Sequence, residues 1–120
     1  MLENYAEEVK GLGVGSHLWL FDNNVSVYDE NKKYLGRGKW RKYSIILATS
    51  RSWVLEGETR VDKISLTINR GKYGREQAYT EKMMHDRIWV SEKRLRLLDL
   101  LQRCNDIEKL KMVATILGFN

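Results

Sequence analysis

The sequence predicts an α+β protein, with a small antiparallel, barrel-like sheet over about residues 16–68 and a C-terminal helical part over residues 80–120. Three observations predict this class. Apolar residues recur with a period near two before residue 69 and with a period near 3.6 after residue 79. A polar, glycine-containing stretch at 69–79, predicted to be a basic loop, separates the two patterns. The length of 120 residues, with 42% hydrophobic and 31% charged residues, predicts a single domain with one main core.

Residues 1–15 are predicted to form an N-terminal arm, a short amphipathic helix or loose segment that three alternating glycines end. The following stretch, Ser16-His17-Leu18-Trp19-Leu20-Phe21, is apolar on both faces, which is typical of a strand covered on both sides. Asp22-Asn23-Asn24 predicts a turn, because Asp and Asn tolerate positive φ. Residues 25–28 are then the returning strand.

Further strands are predicted at residues 40–49, 52–55 and 60–68, joined by short polar turns. In the last of them the alternation places Ile64, Leu66 and Ile68 on the inner face. Closely spaced short strands without an intervening helix favour a small barrel or a strongly bent sheet.

The C-terminal part contains three helix-start signals, with Thr80, Ser91 and Asn105 as candidate N-caps. Gly118 followed by Phe119 is typical of a Schellman helix end. The pattern predicts a helical hairpin or three short helices. Its apolar stripe predicts burial of several large side chains, with Leu98, Leu101, Leu110 and Val113 foremost and Ile107, Ala114 and Leu117 in the last helix.

The net charge is +5, and its distribution is uneven. Residues 31–55 contain no acidic side chain but seven lysines and arginines. Cations there alternate with aromatic residues, and a second, shorter segment of the same kind follows at residues 70–75. Cations neutralise phosphates and exposed aromatic rings stack on bases. The predicted nucleic-acid or partner-binding residues are Lys32, Lys33, Arg37, Lys39, Trp40, Arg41, Lys42, Arg70, Lys72, Tyr73 and Arg75.

An ordinary solvated basic face is the alternative interpretation of these cations. In that case Trp40 and Tyr43 belong to the core of their strand and only the charges are exposed. The sequence leaves both interpretations open.

Catalytic and metal sites are not predicted. Cys104 lies on an apolar helical stripe, His17 and His85 lack further ligands at suitable spacing, and no serine lies in a strand–turn–helix elbow. Glu56 and Glu58 flank a glycine and are interpreted as a hairpin turn. We therefore expect a non-enzymatic protein without a cofactor. The sequence has no apolar run long enough for a membrane span and no signal-peptide pattern, and its single cysteine favours a cytoplasmic location.

Two stretches, residues 15–22 and 43–55, resemble the start of a KOW- or Tudor-like barrel. That resemblance implies a short bent sheet in which loop aromatics hold a ligand. Together with Met84–Val90 and Ile116–Phe119, these stretches also resemble small uncharacterised proteins of tailed bacteriophages. The second resemblance implies a viral accessory protein in the host cytoplasm and brings no active site with it.

Two functions follow as hypotheses. The protein either binds nucleic acid through its basic, aromatic-interleaved segments, or acts as a viral inhibitor or adaptor that binds a host protein of a defence or nucleic-acid-processing complex. The second alternative rests on the enrichment of Trp, Tyr and Arg at protein interfaces. The sequence does not indicate an oligomeric state.

Overall fold

A computed structural model describes residues 2–119, so that Met1 of the predicted arm and Asn120 at the end of the helical part lie outside the described residues. The chain divides into two compact units, Met1–His85 and Asp86–Asn120. The α+β class is confirmed: a curled four-stranded antiparallel sheet, a half-barrel, is followed by C-terminal helices. No helix in residues 2–119 is both long and apolar enough to cross a bilayer.

The first unit begins with a 3₁₀ turn, Leu2–Tyr5, and the short helix α1, Ala6–Lys10. Its sheet has the order β1-β2-β3-β4, and its strands are β1 His17–Tyr28, β2 Tyr34–Ala48, β3 Ser52–Leu55 and β4 Arg60–Asp62. A second antiparallel pair consists of β5 Thr67–Asn69 and β6 Arg75–Gln77, joined by a 3₁₀ turn at Gly71–Tyr73. Just after β6, Tyr79 exchanges two backbone hydrogen bonds with Trp19, so that this segment continues the sheet beyond β1.

The core of this unit is enclosed by the half-barrel, β5–β6 and the first turn of helix α2, Glu81–Arg103. Its period-two pattern follows from alternate side chains of each strand facing inward. Tyr5, Val9 and Leu12 pack against it from the N-terminal arm. The buried cluster comprises Leu18, Leu20, Ile45, Leu55, Val61, Leu66, Ile68, Ala78 and Met83.

Two predictions in the sheet were wrong. The turn predicted at residues 22–24 is an irregularity within β1, where the pairing shifts from Asp22↔Lys39 to Ser26↔Arg37, and the reversal occurs at residues 29–33. The strand predicted over residues 60–68 is broken after Asp62, whose carboxylate accepts hydrogen bonds from the backbone N–H groups of Ile64 and Ser65. The chain turns there, which leaves Ile64 86% exposed while Leu66 and Ile68 remain buried.

Thr80 is confirmed as an N-cap: its hydroxyl oxygen accepts a hydrogen bond from the Met83 N–H at 3.3 Å. The hydroxyl in turn donates to the Glu8 carboxylate, whose other oxygen accepts from the Lys82 N–H at 3.1 Å. Glu8 therefore ties the N-terminal arm to the start of α2. Because the first four N–H groups of a helix have no partner within it, both side chains satisfy donors that would otherwise be unpaired.

The second unit contains the rest of α2 and the helix α3, Ile107–Ile116. Ser91 lies inside α2 and is not a cap, so the first two predicted helices are one helix of 23 residues. The cap of α3 is Asp106 rather than Asn105, and its carboxylate accepts from the N–H groups of Glu108 and Lys109.

The Schellman end of α3 is confirmed by two hydrogen bonds, from Phe119 N–H to the Ala114 carbonyl and from Gly118 N–H to the Thr115 carbonyl. The predicted burial in this unit was wrong: Leu98 is 50% exposed and Leu101 37% exposed. Ile107 and Leu117 are also exposed, while Leu110, Val113 and Ala114 are half-buried. A helical period shows which residues share a face, but it does not supply the surface that would cover them.

Candidate nucleic-acid interface

The β1–β2 hairpin is much longer than the core it covers. β3 pairs with β2 only from Ile45 to Ala48, and no residue from Phe21 to Ser44 is buried. From the Asp22↔Lys39 pair to the Tyr28↔Tyr34 pair, the two strands therefore pair only with each other. We call residues 22–42 the ribbon, and residues 40–42, which pair with Phe21, Leu20 and Trp19, form its base.

The reversal at the end of the ribbon is built around Asp29. Its carboxylate accepts hydrogen bonds from the N–H groups of Asn31 and Lys33, each at 2.8 Å, and its own N–H donates to the Lys33 carbonyl. Lys32 takes a positive φ of 62°, a conformation unusual for a residue with a side chain. The turn thus holds two exposed lysines, Lys32 and Lys33, at the end of the ribbon.

The cations of the ribbon fall into two electrostatic classes. Arg41 is neutralised: its Nε lies 3.3 Å from an Asp22 carboxylate oxygen, and the two side chains are 47% and 32% exposed. Within the part of the chain that the structure describes, the remaining cations have no carboxylate within ion-pair distance. These exposed, unneutralised cations are Lys32, Lys33, Arg37, Lys39 and Lys42.

Trp40 makes two aromatic contacts. It forms T-shaped contacts with Phe21 at 5.1 Å and with Tyr79 at 5.0 Å between ring centroids, and it is half-buried. Phe21 in turn lies over Gly38, whose absent side chain provides the space for the ring. Trp40 is thus part of an aromatic cluster at the base of the ribbon.

The sequence analysis missed the exposed aromatic pair near the turn. Tyr28 and Tyr34 face each other across the strands with ring centroids 5.8 Å apart, and they are 58% and 53% exposed. The signal is present in the sequence as two tyrosines flanking Asp29–Lys33 symmetrically, but the predicted turn lies at residues 22–24. Leu35, which follows Tyr34 in the sequence, is 60% exposed.

The second basic segment lies on the β5–β6 hairpin. Arg70 is neutralised by Glu76, with Nη2 2.8 Å from the carboxylate oxygen. Lys72 lies over the ring of Tyr73 at 5.2 Å, and Tyr73 is 82% exposed. Hydrogen bonds from the Ser65 and Ile64 N–H groups lower the pKa of the Asp62 carboxyl, and the charge of Arg75, which is also exposed, adds a smaller effect in the same direction.

One residue of the second basic segment, Arg70, lies near the base of the ribbon. A cleft of about 420 Å³ is lined on one side by Asp22, Asn23, Asn24 and Tyr43, and on the other by Arg70 and Glu76. The structure therefore brings Arg70 to the first hairpin, whereas Lys72, Tyr73 and Arg75 do not line this cleft.

A serine, a histidine and a carboxylate also lie together on the sheet. Ser44 Oγ is 3.2 Å from His17 Nδ1, and the Ser44 N–H donates to Glu56 at 2.7 Å. Glu56 accepts hydrogen bonds from the Ser44 N–H and from the Ser44 hydroxyl, and both lower the pKa of its carboxyl. In a catalytic triad the carboxylate orients the histidine, whereas here it accepts its hydrogen bonds from the serine, so the geometry is that of a cross-strand brace.

Among the described residues, no group of three or more His, Cys, Asp or Glu side chains is arranged to hold a metal ion. His85 and Glu81 approach to 3.9 Å as neighbours on one helix face. Comparison with protein-family models, curated proteins and solved structures found no match to this chain.

Proposed function

We propose that this protein binds nucleic acid through the ribbon, without catalysing a reaction. The observation that carries the proposal is the two-stranded ribbon, which extends beyond the core and has five exposed cations without a carboxylate within ion-pair distance. Four of them, Lys32, Lys33, Arg37 and Lys39, lie beyond the core, and Lys42 lies at the base. Each cation that contacts a phosphate releases condensed counterions, which gives affinity largely independent of sequence. The major groove of duplex DNA is wide enough to admit a two-stranded β-ribbon.

The cations predicted to bind nucleic acid differ in their expected contribution to the affinity. Lys39 and Lys42 have no carboxylate partner, although the Lys42 ammonium lies 5.8 Å from the centre of the Trp19 ring, whereas Arg41 must break its ion pair with Asp22 before it can contact a phosphate. Arg70 is restrained in the same way by Glu76. Lys72 and Arg75, which lie on the second hairpin, are supplementary contacts in this proposal.

The test is a fluorescence-anisotropy titration of labelled duplex and single-stranded oligonucleotides across a range of salt concentrations. Lys39→Ala and Lys42→Ala should each lower the slope of log affinity against log salt by about 0.9 for duplex DNA. Arg41→Ala is the matched control, since it removes a charge from the same strand that Asp22 already neutralises, and its slope should change less. Asp22→Asn should strengthen binding, because it frees Arg41.

Binding to both oligonucleotides weaker than about 0.1 mM at physiological salt, below ordinary non-specific affinity, would refute the nucleic-acid proposal. Equal slopes for Lys39→Ala and Arg41→Ala would refute the assignment of free and neutralised cations.

The second candidate is a viral inhibitor or adaptor that binds a host protein. The observation that favours it is the exposed group Tyr28, Tyr34 and Leu35 near the turn, since aromatic anchors carry much of the energy of protein interfaces. Tyr34→Ala separates the two candidates. Loss of host-protein capture with unchanged oligonucleotide binding supports the inhibitor, and weaker single-strand binding with an unchanged salt slope supports base stacking. A phage origin and a cytoplasmic site of action belong to this proposal through the sequence resemblance alone.

A further inference from the structure

The helical unit exposes an unusual amount of apolar surface. None of its described residues is buried, and eleven large apolar side chains are between 37% and 79% exposed. They are Trp89, Leu95, Leu97, Leu98, Leu100, Leu101, Ile107, Met112, Ile116, Leu117 and Phe119. With on the order of 100 Å² of apolar surface per large side chain, they expose roughly 600–700 Å².

That area suits a partner surface. The largest apolar patch on a typical monomer covers about 300–600 Å². A standard stable interface buries about 800 Å² on each partner. Taken together, the exposed apolar side chains amount to most of one half of a stable interface, but they lie on several faces of the two helices, so that a single contact would cover only part of this area.

The charges beside the leucines of α2 indicate which partner fits. Leu97, Leu100 and Leu101 lie at i, i+3 and i+4 and share a face. A row of charges runs along the same helix at i, i+4, i+7 and i+11, and its signs alternate: Glu92, Arg96, Asp99 and Arg103.

When two copies of this row run in opposite directions, each negative charge lies opposite a positive one. In an antiparallel pair of α2 helices centred between Leu97 and Leu98, Glu92 lies opposite Arg103 of the second copy, and Arg96 lies opposite Asp99. In a parallel, in-register pair the row would lie on opposite sides of the two helices, so that its charges would not pair with one another. Arg94 lies on the leucine face, where its aliphatic stem can cover Leu101 of the second copy while the charged end reaches solvent.

We propose that the helical unit binds a second copy of this chain, with the two α2 helices antiparallel about a two-fold axis next to Leu97. In such an isologous contact each residue pair occurs twice, so one self-complementary row is sufficient. The inference rests on the helical unit alone and is independent of what the ribbon binds.

Light scattering of the 120-residue protein tests whether the partner is a second copy. The expected mass is twice 14.1 kDa, and the double variant Leu97→Glu/Leu101→Glu should be monomeric with its helical circular dichroism retained, because both side chains are exposed. Ile64→Glu, the same change at an exposed position in the other unit, should leave the dimer intact. A parent protein that stays monomeric up to millimolar concentration, or a double variant that remains dimeric, would overturn the proposal.

The charge row tests the orientation. Arg103→Glu should weaken the dimer about tenfold by sedimentation, since Glu92 would then face a like charge in both symmetric pairs. Glu92→Lys/Arg103→Glu should restore the affinity, although the Asp99–Arg103 ion pair within the helix is lost in both variants. Failure of the double variant to restore dimerisation would exclude the antiparallel arrangement.

Cysteine cross-linking gives an independent measure of the same geometry. In a Cys104→Ser background, Leu97→Cys lies next to the axis and should form a disulfide between the two copies. Leu101→Cys should not, because its two copies would be about 10 Å apart along the helix axis. Equal cross-linking at both positions is the result expected of parallel helices and would contradict the proposal.

Discussion

Eleven apolar side chains are buried in the unit that ends at His85, and none of the described residues is buried in the unit that begins at Asp86. In the first unit the sheet curls around its own side chains, and the Trp19–Tyr79 bridge extends it. In the second unit two amphipathic helices carry leucines that stay exposed. The spacing of apolar residues alone does not distinguish these cases. It shows which residues share a face of a helix or strand, whereas the topology determines what covers that face.

The largest expected difference between the two units is in leucine truncation. Leu55→Ala, at a site with 0% exposure, should lower the free energy of unfolding by about 2–5 kcal/mol. Leu95→Ala, at a site 75% exposed and away from the leucine face of α2, should change it by less than about 0.5 kcal/mol. Urea denaturation at several protein concentrations measures both. Similar losses for the two variants would show that the helical unit has a core of its own.

The base of the ribbon should be the next most sensitive place. A Cβ at Gly38 would lie 2.2 Å from the ring of Phe21, and the residue has a φ of 110°. Gly38→Ala should therefore cost about 1–3 kcal/mol and displace the Phe21–Trp40 pair, which a change in tryptophan fluorescence would report.

Gly36→Ala is the matched control. Its φ of 130° imposes a similar backbone strain, but no atom lies within 4 Å of its added Cβ. Equal destabilisation by the two substitutions would mean that strain alone, and not the packing of Phe21, sets the need for glycine in the ribbon.

The sequence predicted the start of α2 and the end of α3, two features that depend on neighbours along the chain. Thr80 was found because a cap bonds three residues ahead, and the end at Gly118 because a left-handed residue favours glycine. The turn was misplaced because Asp22-Asn23-Asn24 and Asp29 carry the same local signal, and only strand pairing distinguishes an irregularity within a strand from a reversal. Pairing also decides which cations are free, since the contact of Arg41 with Asp22 depends on the register between β1 and β2.

Removing the N-cap of α3 tests whether the helical unit can be destabilised without affecting the sheet. Asp106→Ala should cost about 1 kcal/mol, because the N–H groups of Glu108 and Lys109 lose their acceptor. Hydrogen exchange should show faster exchange of backbone amides in α3, with little change in the β-strands. Asn105→Ala, at the cap that the sequence predicted, should have a much smaller effect. If Asn105→Ala destabilised the protein more than Asp106→Ala, Asn105 would be the cap of α3, as the sequence predicted.

The smallest effect expected is on the acid stability of the first unit. Hydrogen bonds from Ser44 lower the pKa of Glu56 below 4.5, and those from the Ser65 and Ile64 N–H groups lower the pKa of Asp62 below 3.8. Since the folded state binds these protons less readily than the unfolded state, their contribution is present above the unfolded pKa values and is lost as pH falls through the folded ones. Both groups are in the first unit, so acid should loosen the sheet, as followed by the fluorescence of Trp19, Trp40 and Trp53, before the helical signal falls.

Glu56→Gln should flatten the fall in stability below about pH 4.5, whereas Glu58→Gln, two residues away, should leave it unchanged. A pH profile that Glu56→Gln does not alter would show that the Ser44 hydrogen bond does not link acid to the stability of the sheet.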